Sequence, residues 1–314
     1  MTTAYLHGFG HYVPECVVTN VELAERVGRT AEWIESASGI RERRWAAKQE
    51  TIADMGVAAA QDCLRRTGVT ADSLGLLIVA SGSGALGFPG PAAEIAQRLG
   101  METAAALDVP VASAGSLFGL VLAMRMAEAH GDVLVVGSEK MSPAVANDPN
   151  TAILFGDGAG AALVSSRQGR WRMLDAVLHS DGQYRNDLAF DGAQLRMNGL
   201  NVILHAARKI PAVIEEVLAR QNIAAADVRA FLLHQANLNL LTRVAKALGV
   251  ERERIFTNVE RYGNTSSASM LIAASEWAET NPAAGPIVFG AFGAGFHWGA
   301  LIATSNVATG MQDP

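Results

Sequence analysis

The sequence predicts an α/β fold, on three observations: short apolar runs, amphipathic stretches between them, and an internal repetition of this pattern. Near-continuous apolar runs are typical of strands covered on both faces of a sheet. The stretches between them have apolar residues at helical spacing, and strands separated by helices indicate an α/β architecture. The predicted strands are 74–80, 133–137, 230–233 and 286–289, and the predicted helices are 51–67, 90–99, 200–221 and 238–248.

The composition is that of a folded protein with an aliphatic core. Apolar residues make up 50 % of the 314 residues and charged residues 18 %, the opposite of the bias of disordered chains. A net charge of −6 offers no basic field to nucleic acid or acidic lipid. No signal-peptide pattern opens the sequence, and no apolar run reaches the ~20 residues that cross a bilayer. Two cysteines, Cys16 and Cys63, fit a reducing compartment. We therefore expect a cytoplasmic protein without a nucleic-acid or membrane partner.

The chain contains pairs of similar segments that are separated by about half its length. A helix end, a short turn with Asp72 and a buried strand recur around Asp227, 155 residues later. A second pair of similar segments links residues 155–163 to residues 292–301, each a glycine-rich turn next to apolar strands. Because the two pairs occur in the same order, they predict a duplicated unit, with halves at 1–168 and 169–314.

Two segments place polar side chains where an α/β site forms. Residues 107–116 read as a strand end, a turn of small residues and a helix start. Ser113 is expected at the helix N-terminus, either as a nucleophile or as a simple capping residue. His234 follows the predicted strand 230–233, where it serves either in catalysis or as a hydrogen-bonded structural residue.

Two further segments supply hydrogen-bond donors. Asn264 stands in a glycine turn before a predicted helix at 270–278, and either donates inward or belongs to a capped helix start. The glycine-rich residues 293–299 offer backbone N–H groups to an anion. The histidines and the two distant cysteines form no ligand cluster, so no metal is expected.

Taken together, these motifs resemble the β-ketoacyl-acyl-carrier-protein synthase III family, condensing enzymes of the thiolase fold. The resemblance covers nearly the whole chain in order, and the pair His-Gln-Ala-Asn and Gly-Asn-Thr-Ser, with His234 and Asn264 30 residues apart, is its most specific part. The matching segments are 8–14, 19–23, 33–44, 155–161, 234–237, 262–266 and 292–299.

The resemblance implies a thiolase fold of two αβαβα halves related by a pseudo-twofold axis, and a homodimer. It implies a catalytic set at Ser113, His234 and Asn264, with the backbone N–H groups of Ser113 and Ala294 holding the oxyanion. It implies an acyl-CoA or acyl-carrier protein as substrate, with no other cofactor. The implied substrate-binding residues are Trp33, Phe88, Gly199, Asn237 and Phe292, with Phe88 extended toward the partner subunit's acyl pocket.

The sequence departs from the family pattern at the nucleophile, where the family has cysteine and this chain has Ser113. A helix N-terminus readily stabilises a thiolate, but a serine hydroxyl is far less acidic and needs a base, for which His234 is the candidate. Two arginines of the family are also absent. Asn239 stands at the position of an arginine that helps many members hold the carrier protein. Residues 148–153 lack the arginine that stacks on the coenzyme A adenine. These departures favour a specialised relative that primes or tailors a polyketide or fatty acid.

Four hypotheses follow. The chain condenses an acyl group on Ser113 with a malonyl-type thioester, or it transfers that acyl group to a hydroxyl or amine without condensation. Alternatively, it is a non-catalytic partner subunit of a cysteine-bearing paralogue. Finally, Ser113 is an introduced replacement for cysteine, which the codon in the native gene decides.

Overall fold

The computed structural model describes residues 3–84, 88–145, 148–190 and 195–306. The strands are β1 (Ala4–Tyr12), β2 (Val17–Thr19), β3 (Glu42–Arg44), β4 (Leu74–Ala80), β5 (Ala105–Val109), β6 (Asp132–Glu139), β7 (Gly158–Ser165), β8 (Trp171–Ser180), β9 (Leu188–Phe190), β10 (Leu195–Met197), β11 (Ala230–Leu233), β12 (Pro286–Gly293) and β13 (His297–Ser305). The helices are α1 (Asn20–Val27), α2 (Ala31–Ser38), α3 (Ile52–Thr67), α4 (Pro91–Leu99), α5 (Gly115–His130), α6 (Ser142–Val145), α7 (Pro149–Ala152), α8 (Gly199–Arg220), α9 (Leu238–Leu248), α10 (Val259–Tyr262) and α11 (Ser269–Thr280).

The α/β prediction is confirmed, and the element boundaries differ from it mainly at caps. Thr51 and Gly90 are the N-caps of α3 and α4 rather than their first helical residues. The strand predicted at 286–289 continues to Gly293, because apolar and glycine residues extend the buried run. Among the described residues, none of the helices is long and apolar enough to span a membrane.

Nine strands form one mixed sheet in the order β11-β12-β13-β8-β1-β7-β6-β4-β5. From β1 outward the N-terminal strands run β7, β6, β4, β5, and from β8 outward the C-terminal strands run β13, β12, β11. A parallel bridge between Phe231 and Ile255 continues the second series beyond β11, in the place that β5 has in the first. The two series therefore have equivalent strand arrangements on the two sides of the β1–β8 pair. This agrees with the two pairs of similar segments found in the sequence. The domain boundary at 168/169 itself stays a prediction.

Two apolar helices, α5 and α11, lie between the two series of strands. Helix α5 contacts β4 and β6 of the first series and also β12 and β13 of the second, while α11 packs on β1, β7 and β11. Helices α3 and α8 cover the opposite faces of the two series. The first half of helix α5 is buried on nearly every side and is apolar nearly all round, whereas Leu122, Arg125 and Glu128 in its second half are exposed. The start of α5, next to Ser113, therefore lies deep in the molecule.

Glycine at position 293 allows the end of β12 to approach the Ser113 turn backbone to backbone. A Cβ atom on Gly293 would lie 2.0 Å from the Ala112 carbonyl oxygen and 2.8 Å from the Ala114 nitrogen. Backbone atoms cannot swing aside as the end of a flexible side chain can. The close approach brings Ala294 and Phe292, on either side of the glycine, next to the turn.

We predict that Gly293→Ala lowers the free energy of unfolding by about 1–3 kcal/mol, because the new Cβ forces the two backbone segments apart. Gly182→Ala is the matched control, since a Cβ on Gly182 meets no atom within 4 Å. Its effect is expected within about 0.5 kcal/mol. Chemical denaturation of both variants measures the difference, and equal stabilities would contradict the proposed close packing.

Candidate active site

Ser113 lies in the turn between β5 and α5, with its backbone in the left-handed region at φ 65°. The side chain is buried, and Ala114, not Ser113, is the cap residue of α5. The alternative of a simple capping serine is therefore wrong. A left-handed conformation costs a non-glycine residue on the order of 1–3 kcal/mol, and such strain is concentrated at functional sites.

His234 follows β11 and is held in place at both its backbone and its ring. The backbone N–H donates to the Gly290 carbonyl at 2.8 Å, and ring Nδ1 lies 2.6 Å from Ser269 Oγ. Ser269 Oγ also accepts the Gln235 N–H at 3.0 Å. We assign the Ser269 hydroxyl as the donor to Nδ1, which leaves the proton of the neutral ring on Nε2. Burial lowers the pKa of His234 to about 4, and hydrogen bonding to the Ser266 backbone offsets this only in part.

Asn264 lies in the loop between α10 and α11. Its backbone N–H donates to the Leu154 carbonyl at 2.8 Å, and its side-chain Oδ1 accepts the Ser266 N–H at 2.9 Å. Because Oδ1 is engaged in this way, Nδ2 is the side-chain group that remains for a substrate. Asn264 therefore presents a hydrogen-bond donor, which is the chemistry predicted for it.

Ser113, His234 and Asn264 line one narrow cavity beneath the protein surface. The rest of the wall is mostly apolar and comes from strands, helices and loops of the C-terminal half together with Phe155. These wall residues are Phe155, Leu188, Met197, Val202, Ala206, Ile210, Ala236, Leu240 and Phe292. Three polar groups that converge in an apolar cleft are typical of a catalytic or binding site. Of the predicted substrate-binding residues, Phe292 lies in this wall.

The Ser113 hydroxyl contacts Ser266 and not His234. Its Oγ lies 3.4 Å from Ser266 Oγ, and the Ser113 backbone N–H donates to the same oxygen at 3.0 Å. The predicted hydrogen bond from Ser113 to His234 is therefore not formed, since the turn directs the hydroxyl toward the loop after Asn264. The Ser113 N–H, assigned to the oxyanion, is likewise already engaged.

The chain of contacts continues to a buried carboxylate. Ser266 Oγ lies 2.9 Å from Glu139 Oε1, and Glu139 is fully buried at the end of β6. Backbone N–H groups of Gly82, Ser83 and Ser267 donate to the two carboxylate oxygens at 2.8–3.2 Å. The hydroxyl of Ser83 donates to Oε2 at 2.5 Å, and that of Ser81 at 3.3 Å. These donors satisfy a charge that would otherwise be very costly to bury.

A second cavity lies on the other side of the Ser113 turn. Its walls include Ala112, Leu188 and Ala294, so it shares Leu188 with the first cavity. Phe88 also lines it, with a side chain that is 99 % exposed within the single chain. The structure thus brings Ala294 and Phe88 to the same cleft, next to the turn that carries Ser113.

The other predicted substrate-binding residues lie outside both cavities. Trp33 is a half-exposed residue of α2, with the guanidinium of Arg29 5.1 Å from its ring centroid. Gly199 is the first residue of α8. Asn237 caps α9, where its side chain accepts the backbone N–H groups of Asn239 and Leu240. These positions assign Gly199 and Asn237 structural roles at helix ends, and substrate contact by them stays a prediction.

Neither cysteine belongs to the site. Cys16 is exposed, and Cys63 is buried in α3, where burial raises the pKa of its thiol to about 12. Within the described ranges, no group of three or more His, Cys, Asp or Glu side chains is arranged to hold a metal ion.

Sequence reasoning missed three residues of this network: Glu139, Ser266 and Ser269. Glu139 carried a usable signal, because a charged residue at the end of a buried apolar strand needs a partner. Ser266 and Ser269 are two of the four serines and threonines among the five residues after Asn264, and nothing in the sequence separates the two that contact the site from the others.

Comparisons with known proteins identify the family to which the chain belongs. The family model described as 3-oxoacyl-[acyl-carrier-protein (ACP)] synthase III matches residues 107–182, and that of its C-terminal part matches residues 218–305. A β-ketoacyl-[acyl-carrier-protein] synthase III of Oleidesulfovibrio alaskensis is 36 % identical, in an alignment that covers 96 % of this chain and 98 % of the relative. The chain therefore belongs to the β-ketoacyl-acyl-carrier-protein synthase III family.

Solved structures of the family superpose over nearly the whole chain. The 3-oxoacyl-[acyl-carrier-protein] synthase III of Aquifex aeolicus gives a TM-score of 0.92 at 32 % identity, covering 96 % of this chain and 99 % of that one. A priming β-ketosynthase from the R1128 polyketide pathway gives 0.89 at 32 % identity, covering 96 % of both chains. The predicted thiolase-type α/β fold is confirmed.

We predict that the His234 ring stays neutral down to a pH of about 4. In the unfolded chain the ring binds a proton near its ordinary pKa of about 6.5. Between these two pH values the unfolded state binds more protons than the folded state, so protonation of His234 favours unfolding. The contribution of the neutral ring to the free energy of unfolding is therefore complete above pH 6.5 and is lost as the pH falls toward 4, on the order of 3 kcal/mol in total. NMR titration of the ring, assigned by comparison with His234→Gln, measures the midpoint. A midpoint near 6.5 would show that the ring is not desolvated.

Proposed function

We propose that the chain is a condensing acyltransferase that uses Ser113 as its nucleophile. The observation that supports this most directly is the convergence of Ser113, His234 and Asn264 in one cavity. Ser113 would accept an acyl group from an acyl-CoA or acyl-carrier-protein thioester. The acyl group would then be condensed with a malonyl-type thioester in specialised polyketide or fatty acid biosynthesis.

In the first half-reaction, Ser113 Oγ attacks the thioester carbonyl. The carbon–sulfur bond breaks, the thiol leaves with the serine proton, and an oxygen ester remains on Ser113. The backbone N–H groups of Ala294 and Ser113 would hold the developing oxyanion. The Ser113 N–H now donates to Ser266 Oγ, so its contribution requires that this bond be shared or exchanged when substrate binds.

In the second half-reaction, the malonyl-type thioester loses carbon dioxide and leaves an enolate. His234 Nε2 and Asn264 Nδ2 are the two donors that would stabilise the enolate oxygen. The enolate carbon attacks the ester carbonyl, and Ser113 Oγ leaves and takes up a proton from solvent, since its original proton departed with the thiol. A neutral imidazole suits this role, since its donor is present throughout the neutral pH range.

The shape of the cavity and the residues at its edge support a proposal for the molecule that carries the acyl group. The narrow apolar cavity suits a linear thiol-ended arm that delivers a thioester to Ser113. The amide nitrogen of Asn239, in the place where the resemblance implies a carrier-protein arginine, donates to the carbonyls of Ser36 and Ala37, each at 3.1 Å. This internal use of Asn239 favours acyl-CoA over an acidic carrier protein as the acyl donor.

We predict that incubation with acyl-CoA adds one acyl group to Ser113. Acetyl-CoA and hexanoyl-CoA are suitable probes, and intact-protein mass spectrometry followed by peptide mapping locates the adduct. Ser113→Ala removes the nucleophile and is expected to abolish labelling, whereas Ser267→Ala, a neighbouring buried hydroxyl that donates to Val111, is the matched control. Labelling of any other residue, or of none, would reject Ser113 as the acyl acceptor.

A second candidate, simple acyl transfer to a hydroxyl or amine, is favoured by the serine itself, because an oxygen ester is less activated for carbon–carbon bond formation than a thioester. Asn264→Asp separates the two candidates. It keeps the acceptor for the Ser266 N–H but replaces the donor that faces the cavity. For a condensing enzyme we expect the β-ketoacyl product to fall by about 10²–10³-fold while Ser113 is still acylated. Absence of a β-ketoacyl product, together with transfer of the acyl group to a hydroxyl or amine that persists in Asn264→Asp, would favour simple transfer.

We also propose a homodimer, as the family resemblance implies. Strand β5 is the terminal strand of the sheet, with exposed residues at 105–107, and an open strand edge is a template for pairing with another chain. Phe88 lies in the cavity next to β5 and would be covered by a second copy placed there. Sedimentation equilibrium at micromolar concentration is expected to give a dimer mass, and a monomer would contradict the proposal.

A further inference from the structure

We propose that the Ser113 hydroxyl is activated through Ser266 and Glu139 rather than by His234. The inference rests on the proposed function, in which Ser113 is the nucleophile, and it supplies the base that a serine needs. Ser266 touches the reacting oxygen, whereas Glu139 acts through Ser266 as a positioning residue and as the end of the proton path.

The direction of the hydrogen bonds follows from which groups can donate. Backbone N–H groups bond to both oxygens of Glu139, so the side chain is held as a carboxylate and can only accept. The Ser266 hydroxyl must therefore donate to Glu139 Oε1, at 2.9 Å. Its oxygen is then left to accept from the Ser113 N–H and from the Ser113 hydroxyl. The Ser113 proton thus points away from the cavity, and the lone pairs of its oxygen face the substrate.

The two oxygens of Glu139 differ in how strongly they are bound. Oε2 has the shortest contacts, at 2.5 Å from the Ser83 hydroxyl and 2.8 Å from the Ser83 N–H. Oε1 accepts from Gly82, Ser266 and Ser267 at 2.9–3.2 Å. The oxygen that faces Ser266 is therefore the less tightly held of the two, and it is the one that would receive a proton.

His234 is poorly arranged to act as the base for Ser113. Its Nδ1 is engaged by the Ser269 hydroxyl, and the resulting tautomer has a proton on Nε2. A protonated ring nitrogen can donate but cannot accept. The site thus separates two tasks, with donation to substrate oxygens at His234 and Asn264 and proton removal on the opposite side of Ser113.

The proton and electron pairs balance in the acylation step. As Ser113 Oγ bonds to the thioester carbon, its proton passes to Ser266 Oγ, and the Ser266 proton passes to Glu139 Oε1. When the tetrahedral adduct collapses, the carbon–sulfur bond breaks, Glu139 returns its proton to Ser266, and the Ser266 hydroxyl proton passes to the departing thiolate. The products are the free thiol and acyl-Ser113, with Ser266 and Glu139 restored.

The test compares the loss of the Ser266 hydroxyl in a serine and in a cysteine background. Ser266→Gly removes the hydroxyl and relieves the left-handed backbone at φ 48°. The first-order rate of acylation by acetyl-CoA and hexanoyl-CoA is measured by rapid quench and mass spectrometry, in the chain with Ser113 and in Ser113→Cys. A thiol at a helix N-terminus needs little help from a base. We expect Ser266→Gly to slow acylation by about 10²-fold or more with Ser113 and by less than about tenfold with cysteine.

Each outcome decides between defined alternatives. Equal losses in the two backgrounds would mean that Ser266 only supports the fold, and no loss with Ser113 would mean that the proton leaves by another route; both overturn the inference. An adduct on the cysteine chain but none on Ser113 would instead reject the proposed function on which the inference rests. Ser267→Ala in both backgrounds controls for the loss of a buried hydroxyl. Glu139→Gln tests the last link and is expected to show the same dependence on the nucleophile.

Discussion

The buried carboxylate of Glu139 is the constraint around which the centre of the molecule is organised. A negative charge with no solvent contact must be surrounded by donors, and these come from the loop after β4 and from the loop that precedes α11. The carboxylate thereby joins the two halves of the chain next to the Ser113 turn. Because Ser266 bonds both to Glu139 and to Ser113, the position of Ser113, the proposed nucleophile, depends on that charge.

Much of the fold could be predicted because its signals are local. The strand at 230–233 and the helix at 238–248 begin and end where the apolar pattern and the capping residues place them. The internal similarity also anticipated the mirrored order of the strands. The pairing of β1 with β8, which makes a single nine-stranded sheet, was not predicted, since it joins segments about 165 residues apart that carry no complementary signal.

The sequence predicted which residues form the site but not which of them are hydrogen-bonded to one another. Strand and helix ends indicated Ser113, His234 and Asn264, and the structure lines one cavity with all three. The partner of the Ser113 hydroxyl depends on two left-handed residues, at positions 113 and 266, and these conformations are imposed by packing and not by residue type. Asn237, expected at the substrate, caps α9, a position where Asn is favoured, and its contact with substrate stays a prediction.

The left-handed turn at Ser113 has a consequence for how the reactive atom can be exchanged. The backbone strain arises from the presence of a Cβ atom, so serine and cysteine bear it equally and have their Cβ atoms in the same place. A change between the two therefore alters reactivity while the scaffold stays the same. On the proposal that Ser266 and Glu139 activate Ser113, an oxygen and a sulfur nucleophile would differ in their need for the hydroxyl and carboxylate network behind the turn. Position 113 can hold either side chain, and the surrounding residues determine which chemistry that side chain can support.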